Sequence, residues 1–275
     1  MEPKNVLITG GNSGIGKATA IGIAKTGAHV IIACRSKERG TQAVEEIKKA
    51  SGNNNIDLLL MDLSSQASVR KAAEEFKSKY NKLHVLINNA AVFLNKREET
   101  EDGLEKTFAT NYLGHFLLTH LLIDTIKASA PARIINVASK HMGVKINFDD
   151  LQTTKNYSFM KAVGPTKLGM IMFTQSLAKK LEGTGVTVNS LHPGLAKSNI
   201  LNDLSPFVRF IFKLMSGSPE KCAETSIFLA TSASVEKVSG KYFEKKKEVK
   251  PGANATNADD IQKLWDASTK LAKIN

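Results

Sequence analysis

The feature that most constrains this chain is an apolar run, Val6-Leu7-Ile8, that ends abruptly in Thr9-Gly10-Gly11-Asn12-Ser13-Gly14-Ile15-Gly16. An apolar strand that enters a glycine-rich turn and leaves as a helix opens a βαβ unit, and few architectures begin that way. Each glycine has its own task. Gly10 permits a sharp turn, Gly14 lets the backbone approach a bound group, and Gly16 lets helix and strand pack closely. The helix is expected to begin near Lys17, and its first amide N–H groups favour an anion. The pyrophosphate of a dinucleotide fits that cradle. A glycine-rich turn with no ligand is the plain alternative.

Further strands are expected at 29–34, 56–61, 84–89, 133–138 and 187–192, with the first at 4–9. Their continuous apolar runs suit a parallel sheet covered on both faces. Helical spacing lies between them. Val69, Ala73, Phe76 and Tyr80 share one face of 67–80. In 166–182, Leu168, Ile171, Met172 and Leu181 mix with the small Gly169 and Ala178. Near the end, Asn257 is placed to cap a helix whose inward stripe is Ile261, Leu264, Trp265, Ser268 and Leu271. The fold class that follows is α/β: a Rossmann-type doubly wound parallel sheet with helices on both faces. No linker, repeat or low-complexity block interrupts it, so residues 1–275 are expected to form a single NAD(P)-binding domain.

The end of the second strand bears on which nicotinamide cofactor is held. An NAD site wants a carboxylate there for the ribose 2′-hydroxyl. The sequence instead reads Ala33-Cys34-Arg35-Ser36-Lys37. Arg35 suits a charge-assisted pair with a 2′-phosphate, with Ser36 or Lys37 adding to it, so NADP(H) is expected. An ordinary surface arginine is the alternative.

Together, TGGNSGIG at 9–16, NNAA at 88–91, NYLG at 111–114, INVAS at 135–139, the helix with Lys167, HPG at 192–194 and SGKYF at 239–243 occur in a familiar order. The chain thereby resembles the short-chain dehydrogenase/reductase family, and within it the retinol dehydrogenase group, from residue 4 to the end. Ala91 departs mildly from the glycine usual there. The resemblance implies a cofactor held by Gly10, Asn12, Ser13, Gly14, Ile15 and Gly16. It adds Arg35 and Ser36, Asp62 at the adenine with Leu63 beside it, and Asn89 at the nicotinamide-side ribose with Ala90. It also implies that Pro193, Gly194 and Ser198 lie by the nicotinamide. Catalytic roles carry over to Ser139 on the substrate oxygen, to Lys167 on the ribose, and to Asn111 at a helix bend with a water leading to solvent.

The departure is central. The family's tyrosine, one turn before the lysine, is replaced by valine in Ala162-Val163-Gly164-Pro165-Thr166-Lys167. A valine neither gives nor takes a proton, so the general acid is missing from its usual place. Tyr157, in a loop upstream, and His141, after Ser139, are the substitutes to consider.

The stretch 195–218 is expected to form a substrate lid. Within it, from 207 to 215, Phe207, Phe210, Ile211 and Phe212 lie among other apolar residues around only Arg209 and Lys213. An ordinary core helix is the alternative. The implied function is an NADP(H)-dependent oxidoreductase acting on a lipophilic, retinoid-like alcohol or carbonyl, with activity impaired at Val163. The rivals are a catalytically weak NADP(H)-binding protein and a non-redox enzyme using the same pocket.

The net charge of +12 raises nucleic acid as a partner, but the lysines bunch only at 241–250, without an aromatic-basic stripe. An apolar small molecule and no nucleic acid are therefore expected, with peripheral membrane contact and a homo-oligomer left open. The two cysteines, Cys34 and Cys222, form no metal-like cluster, so no metal and two buried thiols are expected. No apolar run is long enough to span a membrane, and with a strand so near Met1 no cleavable signal is expected. A cytoplasmic or membrane-peripheral location is the expectation.

Overall fold

The computed structural model describes residues 3–140, 143–194 and 217–274. Strand β1 (Asn5–Thr9) leads into helix α1 (Gly14–Ala24), then β2 (His29–Cys34), α2 (Lys37–Ser51), β3 (Ile56–Leu60), α3 (Gln66–Lys79) and β4 (Val85–Asn88). A helical turn, α4 (Lys106–Phe108), runs through a π-turn (Ala109–Leu113) into α5 (Gly114–Lys127). There follow β5 (Ala132–Val137), α6 (Phe159–Lys180), β6 (Val186–His192), α7 (Pro219–Thr231), β7 (Tyr242–Glu244), β8 (Lys247–Val249) and α8 (Ala258–Leu271). The sheet order is β3-β2-β1-β4-β5-β6-β7-β8, parallel except for the β7–β8 pair.

Two apolar cores flank this sheet. Val6, Ile8, Val30 and Ile32 bury one face with Ile23 of α1 and Ile47 of α2. Leu7, Ile31, Leu86 and Ile134 bury the other with Phe76 of α3, Phe116 of α5, Phe173 of α6 and Leu264 of α8. Burial on both faces is what the continuous apolar strands demanded. Both cysteines are buried free thiols. No helix among the described residues is long and apolar enough to cross a membrane.

Into the second core the sheet sends polar groups. Asn88 and Asn136 face each other across β4 and β5. Asn88 Nδ2 donates to Asn136 Oδ1 at 2.8 Å and to Thr119 Oγ1 of α5 at 3.1 Å. Asn136 Nδ2 donates to Thr174 Oγ1 of α6 at 2.9 Å.

Three elements differ from expectation. Helix α1 starts at Gly14 rather than near Lys17, and Gly14 itself, at φ 52°, makes the entering turn that a residue with a Cβ rarely adopts. Helix α6 starts at Phe159 and passes through Pro165 instead of beginning after it. The Ser158 hydroxyl caps its first turn, and burial of Ala162, Val163 and Thr166 outweighs the ladder bond that proline removes. The β7–β8 hairpin gave no turn signal, since Lys245 and Lys246 take the positive φ values that Asn-Gly ordinarily supplies.

Candidate cofactor and catalytic site

The parallel strands place their carboxyl ends along one edge, and strand order reverses between β1 and β4. A crevice at such a reversal is where open α/β sheets bind ligands. The glycine loop lies at its centre. Gly10 has φ 66°, and a Cβ there would stand 3.0 Å from Ala90 Cα. A Cβ on Gly16 would strike the Gly10 carbonyl and stand 2.6 Å from Asn89 Nδ2, so that glycine packs against the loop's own floor. Gly14 meets nothing within 4 Å. Ser13, at the cap of α1, makes no side-chain cap bond. The first turn of α1 therefore lacks the usual side-chain cap, which fits a site for a pyrophosphate. Asn12 and Ile15 are half-buried in the same turn.

The floor beneath is held from several sides. Thr9 Oγ1 accepts from Asn89 N at 2.8 Å and Ala90 N at 2.9 Å, while Asn89 Nδ2 donates to the Thr9 carbonyl at 2.8 Å. Arg35, past β2, is exposed and makes no hydrogen bond or ion pair among the described residues. Ser36 caps α2 by accepting from Arg39 N at 3.3 Å. Asp62 Oδ1 accepts from the Ser64 amide and hydroxyl at 2.9 and 2.7 Å. Leu63 is buried, its carbonyl against Gly114.

On the other side of the crevice, the π-turn buries Asn111 completely. Its Oδ1 accepts from Val92 N at 2.7 Å and its Nδ2 donates to Val92 O at 2.8 Å. Lys167 is buried, and Nζ donates to the Val137 carbonyl at 2.9 Å, two residues before Ser139. Burial lowers its pKa to about 8, because an apolar interior disfavours the ammonium. Val163 is buried one helical turn before it. The half-buried Ser139 offers a hydroxyl with no partner among the described residues, and its carbonyl accepts from Tyr242 Oη at 3.3 Å. Pro193 and Gly194 follow β6, with Gly194 at φ 90° near Cys222.

Two expectations need correction or limits. Tyr157 is not aimed at Ser139 or Lys167: its phenol donates to the Leu94 carbonyl at 3.0 Å, close to Thr107. His141, Ser198 and the lid residues Phe207, Phe210, Ile211 and Phe212 lie outside the described residues. Among the described residues there is no group of three or more His, Cys, Asp or Glu suited to a metal.

Sequence reasoning passed over Thr9, His115 and Tyr242. Thr9 reads as the last residue of an apolar strand, and its double acceptance of amides depends on a loop distant in sequence. His115 follows Asn111 at helical spacing, which was the available signal. Tyr242 bridges Ser139 O and Glu244 Oε1, the latter at 3.2 Å, and Glu244 also meets Lys140 at 3.4 Å.

A doubly wound sheet with a glycine loop at its switch point and a buried lysine beyond it defines a Rossmann-type nucleotide-binding protein. The family model described as short chain dehydrogenase matches residues 4–208, and the chain belongs to that family. It is 42% identical to retinol dehydrogenase 12 of Mus musculus, over 98% of this chain and 87% of the relative. Among solved structures, an uncharacterised protein from Mycobacterium paratuberculosis superposes with a TM-score of 0.80 at 28% identity, covering 98% of this chain and 93% of the other. The Pseudomonas aeruginosa RhlG/NADP active-site complex gives 0.71 at 26% identity, covering 93% and 100%.

Proposed function

We propose that this chain is an NADP(H)-dependent oxidoreductase acting on a lipophilic alcohol or carbonyl, with turnover held down at Val163. The observation that carries the reading is the pairing, along one sheet edge, of uncapped amides at α1 with the buried Lys167 amine. The similarity to retinol dehydrogenases points to the lipophilic class, and the NADP complex of a structural relative accords with Arg35 in place of an acidic residue.

Gly10 to Gly16 would hold the pyrophosphate, and Arg35 with Ser36 the 2′-phosphate. Asp62, Leu63, Asn89 and Ala90 would line the cofactor's bed, with Pro193, Gly194 and Ser198 beside the nicotinamide. The cofactor supplies or accepts the hydride. Ser139 Oγ, with its donor uncommitted, polarises the substrate oxygen. Lys167 Nζ keeps two N–H donors beyond the one on Val137, and these suit ribose hydroxyls. Asn111 holds the π-turn. Segment 195–218, carrying Phe207, Phe210, Ile211 and Phe212, would close over the substrate. What is lacking is a proton donor at Val163.

That lack also favours a second reading, an NADP(H)-binding protein without significant turnover. Steady-state NADPH oxidation over a panel of lipophilic aldehydes and ketones separates the two. Slow, substrate-dependent oxidation supports the enzyme. Tight NADPH binding with no oxidation on any carbonyl supports the binding protein.

A further inference from the structure

The site described above leaves one buried titratable side chain without a task. His115, in the first turn of α5, is 1% exposed. Its Nε2 lies 2.9 Å from Thr9 Oγ1, and its Nδ1 lies 3.4 Å from the Asn111 carbonyl. A histidine in a core is most simply a space-filler, but the hydrogen-bond inventory around this one is more restrictive.

Thr9 Oγ1 has two lone pairs and one hydrogen. Both lone pairs are taken, by Asn89 N at 2.8 Å and Ala90 N at 2.9 Å. No acceptor capacity remains for a donor on Nε2. The hydroxyl must therefore donate to Nε2, which is then unprotonated. A neutral imidazole in that state carries its proton on Nδ1, and that N–H points to the Asn111 carbonyl. Charge agrees with this assignment. Burial, and then the nearby Lys167 ammonium, lower the His115 pKa to about 3, so the ring stays neutral at working pH.

We infer that His115 is a positioning residue for the cofactor floor: a tautomer-locked imidazole that ties Thr9 at the glycine loop to the Asn111 carbonyl in the π-turn. Its acceptor nitrogen fixes the direction of the Thr9 O–H, leaving both Thr9 lone pairs for the 89–90 amides. Asn89 then stays beneath Gly10 and Gly16, where a Cβ on Gly10 would come within 3.2 Å of its Nδ2. Its donor nitrogen supports the turn whose Asn111 side chain clamps Val92. Without the imidazole, the Thr9 hydroxyl has only the Ile87 carbonyl at 3.4 Å, and the Asn111 carbonyl loses this donor. The two sides of the crevice would no longer be fixed relative to each other.

The inference rests on the NADP(H) reading, and its test separates the two. His115→Phe keeps a ring of similar size and removes both nitrogens. Calorimetric titration of the folded variant is expected to show NADPH binding about tenfold weaker, the loss of roughly one well-placed hydrogen bond. The preference for NADPH over NADH should persist, because Arg35 is untouched. A residue that only fills the core would lower the melting temperature and leave the affinity of the folded protein unchanged, and that result overturns the inference. Should the variant not fold, nitrogen-15 NMR of the unmodified protein decides. His115 should show the Nδ1–H tautomer, unchanging from about pH 5 to about pH 8, a range in which an ordinary histidine titrates. An Nε2–H tautomer, or titration in that range, overturns it. A wild-type chain that binds neither NADPH nor NADH sinks the cofactor reading, while the NMR result still rules on the brace.

Discussion

The two sides of the crevice are furnished differently. At the floor of the glycine loop, polar groups are paired: Thr9 holds two amides and Asn89 holds the Thr9 carbonyl. Around β5 and α6 they are not. Lys167 has one acceptor, Ser139 Oγ has no partner among the described residues, and Val163 has nothing to offer. Satisfied groups hold a shape, whereas unsatisfied ones await a ligand. The first side is built to be rigid before binding. In the reading proposed here, the second side offers Lys167 as an anchor and the Ser139 hydroxyl to polarise a substrate, with Val163, which can give no proton, beside them.

The sharpest way to break this contrast is to supply the missing donor. A positioned general acid contributes on the order of 10²–10⁴-fold. Val163→Tyr places a phenol one turn before Lys167, whose positive charge would favour the phenolate. Carbonyl reduction by this variant is expected to rise at least about tenfold, conservatively below that range, once folding and NADPH binding have been verified. Ordinary turnover in the unmodified protein, with no gain in the variant, would mean that another group already donates the proton.

Lys167 gives the next largest effect, and it is pH-dependent. Its pKa in the folded chain is lowered to about 8 from 10.5, so between those values the unfolded chain binds more protons. Stability of the cofactor-free protein must then rise with pH across that window, because burying the charge costs free energy that deprotonation removes. Against Lys167→Met, which lacks the titration, the gain should approach about 3 kcal/mol, read from urea unfolding at stepped pH. NADPH affinity should move in the opposite direction, falling as pH rises through about 8. A flat difference between the two proteins would show that Lys167 is not held as a buried ammonium.

Arg35→Asp tests the other side. A charge-assisted contact to a 2′-phosphate is worth about 1.5–3 kcal/mol, roughly ten- to a hundredfold. The unmodified protein should favour NADPH by that factor in calorimetry, and the variant should lose or invert the preference. The smallest effect on the cofactor is expected from replacing Phe210 and Phe212 by serine. Lipophilic ligands should bind roughly tenfold more weakly as apolar contact is lost, with NADPH little changed. Parallel loss of both would place that segment in the structural core.

The strands of the main sheet were legible because each is a short apolar run bounded by turn residues, and the first six fall within a residue of expectation. The glycine turn could be read from its own spacing, and the bend at Asn111 and the place of Lys167 on its helix from the motifs that carry the family resemblance. What escaped is what depends on distant partners. The early start of α6 is decided by burial of Val163 and its neighbours, which outweighs Pro165. The β7–β8 turn uses lysines in a conformation that lysine does not advertise. Thr9 and His115 meet across 106 positions of sequence, so no local pattern could pair them.

The amide ladder through Asn88, Asn136, Thr119 and Thr174 bears on how the chain assembles. Its members come from β4, β5, α5 and α6, and neither asparagine finds its hydrogen-bond partners within its own strand. A buried amide left unpaired costs about 1–3 kcal/mol. Burying the two strands without Thr119 or Thr174 in place therefore leaves an amide N–H unpaired in an apolar interior, and a one-residue slip of β4 against β5 would separate the pair. Intermediates that contain only part of this block are penalised, so the four elements gain stability jointly. In hydrogen exchange, their slowest amides should open in one shared event rather than element by element.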